Sequence, residues 1–233
     1  MKYLLIALAL LCAGPAAADS LLVRPTTVIL PAGQSAAVLT ISNKGDAPAI
    51  AQIRVFAWDQ EANRDRLDST TLLVASPPMT TIPPGSSQIV RLVRVSKTPA
   101  AREESYRLLV DEIADAAAKE KIGIALQLRY SIPVFVMPDA GAPLQLSLSG
   151  RLEGGELRVD AINSGDTHAQ LSNVSIKCID GSTHALNPGL IGYVLPTKSR
   201  HWRFALPDAA ADKAVREAHA IVNGQRVRIA LQE

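Results

Sequence analysis

"GIALQLRYSIPVFV", residues 123–136, decides how the chain is read. At a period of two, Ile122, Ile124, Leu126, Leu128 and Tyr130 fall on one side of an extended backbone, and Gly123, Ala125, Gln127, Arg129 and Ser131 on the other. An ordinary strand runs for about 5 to 6 residues, so this alternation outruns what a strand needs to serve its own sheet. Two readings follow. The stretch is a core-facing strand of a sandwich, or a strand whose surplus length has a second use.

Working outward, strand-like runs occur at 21–30, 36–42, 50–58, 71–74, 88–95 and 106–112, punctuated by "PAG" (31–33), "NKGDAP" (43–48) and "SPP" (76–78). With the opening stretch they make a series of short strands almost free of helical periodicity, which predicts an immunoglobulin-like sandwich. "DAAAKEK" (115–121), caught between two strands, reads as a hairpin loop. "PDAGAP" (138–143) marks a linker. A second series follows at 144–148, 156–162, 171–178, 193–195, 201–206, 218–222 and 226–231, with "NSGD" (163–166) and "IDGS" (179–182) as turns. The expectation is an all-β chain with an N-terminal domain over 19–138 and a smaller β-sandwich over 139–233.

The first residues carry a different signal. One lysine precedes an apolar run over 3–13, and Ala16, Ala17 and Ala18 supply small residues for cleavage. This predicts a secretory signal peptide over 1–18, with Asp19 as the first mature residue. No later segment reaches the roughly 18 apolar residues of a membrane-spanning helix, so the expected product is exported and soluble, without membrane insertion. Its single cysteine would be Cys178, which leaves no intrachain disulfide to brace the fold.

Twenty-four Lys and Arg against 22 Asp and Glu give no electrostatic reason to invoke nucleic acid or an anionic membrane. The histidines (His168, His184, His201, His219) lack metal-ligand spacing, and neither a glycine-rich phosphate loop nor a nucleophile elbow is present. Asp111 and Glu112 are neighbours on a strand and face opposite ways, so they are not a catalytic pair. The chain reads as a non-enzyme with no metal and no cofactor.

What stands out is arginine inside apolar strands: Arg54 in "QIRVFAW", Arg91 and Arg94 in "IVRLVRV", Arg107 in "YRLLVDE" and Arg129 in "LQLRYSI". A buried guanidinium without a partner is costly. Each one reaches the surface or pairs with a carboxylate; alternatively, as a group they line a cleft with fixed positive charge suited to a carboxylate or an acidic strand.

"TVILPAGQSAAVLTISNKGDAPAIAQIRVFAW" (27–58), "VASPPMTTIPPGSSQIVRLVRV" (74–95), "ESYRLLVDEI" (104–113), "IALQLRYSIPVFV" (124–136) and "GLIGYVLPTKSRHWRF" (189–204) together resemble the periplasmic pilus-assembly chaperones of chaperone–usher systems. The likeness is closest to the archaic branch that serves spore-coat-U-like pilins. It implies two immunoglobulin-like β-sandwich domains in an L-shaped arrangement, with pilin subunits and an outer-membrane usher as partners in the periplasm. It also implies donor-strand complementation, in which the chaperone lends a strand to a subunit lacking its last one. Ile122, Ile124, Leu126 and Leu128 would then enter the subunit groove. A free chaperone exposing such a stripe implies self-capping or a dimer.

In the better-known branch, an arginine on the first strand and a lysine on the seventh anchor the subunit's terminal carboxylate; those positions fall here on Thr27 and Ser131. Arg107 and Arg129 are the expected substitutes, with Arg24 a third. Arg91 and Glu104 align with an ion pair near the domain junction, and the family's third member of that network falls near Asn223. The competing reading is a structural or adhesive sandwich protein of the envelope, which would bury the 122–128 stripe in its own core.

Overall fold

Side chains that alternate between buried and exposed carry most of this chain as strand. The computed structural model describes residues 21–113, 127–138, 142–211 and 214–232. The hairpin loop at 115–121 and the expected donor residues Ile122, Ile124 and Leu126 lie outside the described residues.

The first domain comprises β1 (Leu21–Arg24), β2 (Val28–Leu30), β3 (Ala36–Asn43), β4 (Ala49–Glu61), β5 (Arg64–Ser69), β6 (Leu73–Ser76), β7 (Met79–Ile82), β8 (Ser87–Arg94), β9 (Glu104–Ile113) and β10 (Arg129–Val136). One sheet has the order β1-β3-β8-β6; the other runs β2-β10-β9-β4-β5, with β7 also on β4. Leu39, Ile41, Val90 and Leu92 of the first sheet meet Ile53, Leu108, Val110, Ile132 and Val134 of the second in a closed core. The single run expected at 21–30 is divided. β1 pairs antiparallel with β3, whereas β2 pairs parallel with β10. Pro25 stands between them with no amide hydrogen to continue a ladder, and the chain changes sheets there.

The polar stretch after Trp58 reads as a turn in sequence, yet it is the tip of a hairpin. β4 continues to Glu61 and β5 returns along it, exposed at every residue. The two residues between them, Ala62 and Asn63, have φ of 49° and 62°, the left-handed pair that matches strand twist in a two-residue hairpin.

The second domain holds β11 (Leu146–Glu153), β12 (Glu156–Asn163), β13 (Ala169–Cys178), β14 (Thr183–Val194), β15 (Ser199–Ala205), β16 (Val215–Val222) and β17 (Gln225–Gln232), with one helical turn at Asp208–Ala211. The order is β14-β13-β16-β17-β11-β12-β15. β17 pairs antiparallel with β16 through Ile229 and then parallel with β11 from Ala230, so one strand serves both layers. Leu157, Val159 and Ala161 face Leu171, Val174 and Ile176 across the core. β14 overlaps a run expected as strand, that at 193–195, only at Tyr193 and Val194. Its 12 residues escape periodic reading because the β13–β14 register shifts repeatedly between Leu171 and Ser175. Among the described residues, no helix is long and apolar enough to cross a membrane.

Both sandwiches are pinned by the same device. In "NKGDAPA" (43–49) the buried Asn43 amide donates to the carbonyls of Ala47 at 2.7 Å and Ile82 at 2.9 Å, while its oxygen accepts the Gly45 amide at 2.9 Å. In "NSGDTHA" (163–169) Asn163 donates to the carbonyls of Thr167, Val194 and Leu195 at 2.8, 3.1 and 3.2 Å and accepts from the Gly165 amide at 3.0 Å. Each asparagine satisfies the backbone of a corner that no ladder reaches. Replacing either by alanine strands those carbonyls and is expected to cost about 1–3 kcal/mol. Asn163→Asp, which turns a donor into an anion facing three carbonyls, is expected to cost more. Urea unfolding of the three variants checks the order.

Candidate functional site

The site grows from the alternation of β4, β9 and β10. Tyr130, Ile132, Val134 and Val136 turn toward the first core, so Arg129, Ser131, Pro133 and Phe135 share the opposite face. Register places Asp111 beside Arg129, Leu109 beside Ser131 and Arg107 beside Pro133. On β4, Gln52 lies beside Asp111, Arg54 beside Leu109 and Phe56 beside Arg107. This outer face meets the second domain at one end and is free of it at the other.

At the meeting end, Trp58, Phe135, Tyr193 and Leu195 form a dry cluster. Trp58 and Tyr193 are edge to face at 5.4 Å, and His168 stacks on Phe135 at 3.6 Å. Gln60 crosses the junction: its amide donates to the Tyr193 carbonyl and its oxygen accepts the Leu195 amide, both at 3.0 Å. The Glu103 side chain is 0% exposed; it accepts from the His168 amide at 3.1 Å, and the His168 Nδ1 lies 2.7 Å from it. Lys198 reaches Asp59 at 2.6 Å and Arg200 reaches Asp65 at 2.7 Å. Asn63 exchanges hydrogen bonds with both backbone groups of His201.

Next to this junction a cleft of about 340 Å³ opens between the domains, lined by Thr27, Arg107 and Ser131 on one side and Gln170, Gly192 and Tyr193 on the other. The Arg107 guanidinium lies 3.6 Å from the centre of the Trp58 ring, and its side chain is 14% exposed. Its carboxylate partner, Asp65, stands 3.9 Å away. Burial pulls its proton affinity below the ordinary arginine value, with Asp65 and Tyr193 opposing. This is a desolvated cation with loose compensation.

The remaining arginines separate. Arg129 is 63% exposed and hydrogen-bonds Asp111, which also takes Arg54 at 2.7 Å. Burial raises the Asp111 carboxyl, but the hydrogen bonds from Arg129 and Arg54 outweigh it and hold the group below the usual carboxylate range. Arg24 is exposed at the end of β1, in the other sheet. The cleft therefore gathers Arg107 with Thr27 and Ser131, but neither Arg129 nor Arg24. Leu128 is half-buried, and its carbonyl accepts the Glu112 amide at 2.9 Å, extending the β9–β10 ladder by one rung.

The expected Arg91–Glu104 pair is corrected. Glu104 accepts from Arg94 at 2.6 and 3.0 Å and from the Tyr106 hydroxyl at 2.9 Å. Arg91 is exposed on β8, opposite Val38 and Ser76. Three residues apart on a strand means opposite faces, so only one of the two arginines can reach Glu104. The hydrogen bond from Arg94 holds the Glu104 carboxyl below its ordinary value. Asn223 bonds within the second domain, donating to the His168 carbonyl at 3.2 Å and accepting the Gln170 amide at 2.7 Å, and among the described residues it makes no hydrogen bond to Arg94 or Glu104.

Trp58, Gln60, Glu103, Phe135, His168 and Tyr193 escape a reading centred on arginine. A signal exists: Phe56, Trp58 and Gln60 share the outward parity of β4, where a solvated face would carry no aromatic pair. Among the described residues, no cluster of three or more His, Cys, Asp or Glu could hold a metal ion.

The comparisons agree with this architecture. A family model described as the pili and flagellar-assembly chaperone, PapD N-terminal domain, matches residues 20–142, and the chain belongs to that family. It is a family of chaperones and not of enzymes, in accord with the non-catalytic reading. The chain is 33% identical over 139 residues to the chaperone protein FimB/FhaD of Bordetella pertussis; the match covers 56% of either chain, about half of that relative's length. It is similar to the CsuC–CsuE chaperone–tip adhesion subunit pre-assembly complex from archaic chaperone–usher Csu pili of Acinetobacter baumannii. That likeness has a TM-score of 0.67 and 25% identity over 92% of this chain and 100% of the other. The Salmonella enterica SafA pilin–SafB chaperone complex shares the fold, with a TM-score of 0.62 at 19% identity over 93% and 99% of the two chains.

Gln60→Leu keeps the bulk of the side chain but strands the Tyr193 carbonyl and the Leu195 amide. It is expected to cost about 1–3 kcal/mol and to split unfolding into two transitions, one per domain. Calorimetry checks this; a single unshifted transition would exclude Gln60 as the coupling group.

Proposed function

We propose that the protein is a periplasmic chaperone that captures pilin subunits by donor-strand complementation and passes them to an outer-membrane usher. The observation that carries this reading is the edge of β10, which among the described residues is left open ahead of Val134. β2 covers that edge only along Val134–Val136, whereas β9 pairs the whole strand from Arg129. The Glu112 amide bonds the Leu128 carbonyl, which fixes the phase of the antiparallel ladder. Residues 128, 130 and 132 turn their backbone groups to β9, and 129 and 131 turn theirs away. A visiting strand can pair there.

The alternation of Ile122, Ile124, Leu126 and Leu128 runs in phase with the core-facing side chains of β10. In a subunit groove each aliphatic would contribute about 1.5–3 kcal/mol when fully buried. Signal peptide 1–18 would deliver the protein to the periplasm, and an apolar stripe of this kind without a subunit would favour self-capping or a dimer. Arg107, with the Thr27 and Ser131 hydroxyls beside it, is the group best placed to anchor the subunit's terminal carboxylate. The family and the pilin-containing neighbours support this reading over a passive envelope sandwich.

The test is periplasmic co-purification of the tagged protein with the small secreted subunit encoded beside it. Wild type is expected to bring the subunit down in equal amounts and Leu126→Arg to lose it. Retention by Leu126→Arg would exclude the donated strand, and no capture by wild type would return the passive reading. For the anchor, Arg107→Ala is expected to cut the yield about ten-fold or more, a loss of at least roughly 1.4 kcal/mol, with Arg107→Lys in between. An unchanged yield with Arg107→Ala sinks that assignment.

A further inference from the structure

The second domain holds a basic recess that the interdomain cleft does not use. β13 is irregular where it passes between its neighbours: its register shifts against β14 and β16 between Leu171 and Ser175, and Asn173 has a φ of 52°. Bulges of this kind open a sheet locally and re-aim side chains. Here a recess of about 400 Å³ forms, in whose partly apolar lining stand Asn173, Ser175, Thr183, Asn187, His219 and Arg226, while Lys177 and Arg228 flank it without lining it.

Register surrounds it with cations. His219 lies opposite Arg228 on β17 and Ser175 on β13, while Lys177 lies opposite Glu217. Arg226, Arg228 and Lys177 make no ion pair among the described residues. Glu217, the one carboxylate close by among the described residues, is already approached by Arg216 at 3.8 Å and stands 4.0 Å from the His219 Nε2. The His219 Nδ1 is sealed from solvent and takes no hydrogen bond. Burial first, then Arg226, Arg228 and Lys177, depress the proton affinity of the ring against the opposing pull of Glu217.

We propose that this recess binds a phosphoryl group. Three cations against one carboxylate leave about two units of positive charge, matching the roughly −1.5 to −2 of a phosphate monoester near neutral pH. A lone carboxylate would leave half of that uncompensated. Arg226 presents a guanidinium fork to the oxyanion, and Ser175, Thr183, Asn173 and Asn187 supply neutral donors around it. A bound dianion offsets the three cations that oppose protonation of His219, so the ring takes up a proton as the ligand arrives.

His219 itself reports binding. Its ring resonance is titrated by NMR in inorganic phosphate and in sodium chloride of equal ionic strength. The midpoint is expected to rise in phosphate, and Arg226→Ala to weaken phosphate binding about ten-fold or more and abolish the rise. Arg226 is exposed, so this variant keeps the fold. Equal midpoints in the two salts, or a full response from Arg226→Ala, overturn the proposal. Vesicles of phosphatidylcholine with and without phosphatidic acid separate the sources. Sedimentation that needs phosphatidic acid, is competed by inorganic phosphate and is lost in Arg226→Ala assigns a lipid headgroup. A phosphate response without sedimentation assigns a soluble phosphate.

Discussion

The relation between the two sandwiches depends on one buried amide. Gln60 offers one donor and one acceptor to the Tyr193 carbonyl and the Leu195 amide, both at 3.0 Å. Neither backbone group would find another partner in the aromatic cluster that surrounds it. A hydrogen bond tolerates only a few tenths of an ångström and modest bending, so paired bonds to groups two residues apart fix an orientation as well as a distance. The polar contacts around the cluster, Asp59–Lys198, Asp65–Arg200 and Glu103–His168, repeat the constraint from several directions. The cleft inherits that rigidity. Arg107 on one wall and Gln170 and Gly192 on the other are held at a spacing set by the junction.

Strand parity then builds core and site together. Each residue of β10 that turns inward to complete the first sandwich obliges its neighbour to turn outward. The outward neighbours fall in spatial order: Phe135 in the junction, Pro133 and Ser131 in the cleft, Arg129 beyond it. β4 repeats the pattern with Trp58 in the junction and Arg54 beyond the cleft. A shift of one residue in either strand would put the apolar set in solvent and the arginines in the core. The burial of Ile132 and Val134 is therefore also what places the functional face.

This coupling explains what was legible in sequence. The two sandwiches and most strands could be read because buried alternation is a local signal. β5 could not, since a strand exposed at every residue has no alternation to read, and β14 could not, since the bulges of β13 break its phase. The Asn43 and Asn163 corners read only as turns, because their partners Ile82 and Val194 are more than thirty residues away. The arginines were conspicuous as charges in apolar strands, but the carboxylate each would meet was not. Asp111 is 57 residues from Arg54, and Glu104 chooses Arg94 over Arg91 by a face that sequence offsets leave open.

The location of charge in the cleft follows from the same geometry. Thr27 and Ser131 are neutral, so under the proposed capture of a terminal carboxylate one cation would serve where the resemblance implies two. Arg107 is suited to it because its nearest carboxylate is committed elsewhere: Asp65 takes Arg200 at 2.7 Å and Gln60 at 3.1 Å, leaving Arg107 at 3.9 Å. The Trp58 face holds the guanidinium plane without consuming its N–H donors. An entering carboxylate would thus meet a preorganised fork with two parallel donors, flanked by the hydroxyls of Thr27 and Ser131. Arg129 is in the opposite position. It is solvated and joined with Arg54 on a single aspartate, so a visiting anion would have to compete with Asp111 and with water. Of the two arginines, the buried and poorly compensated one gains more from a new partner.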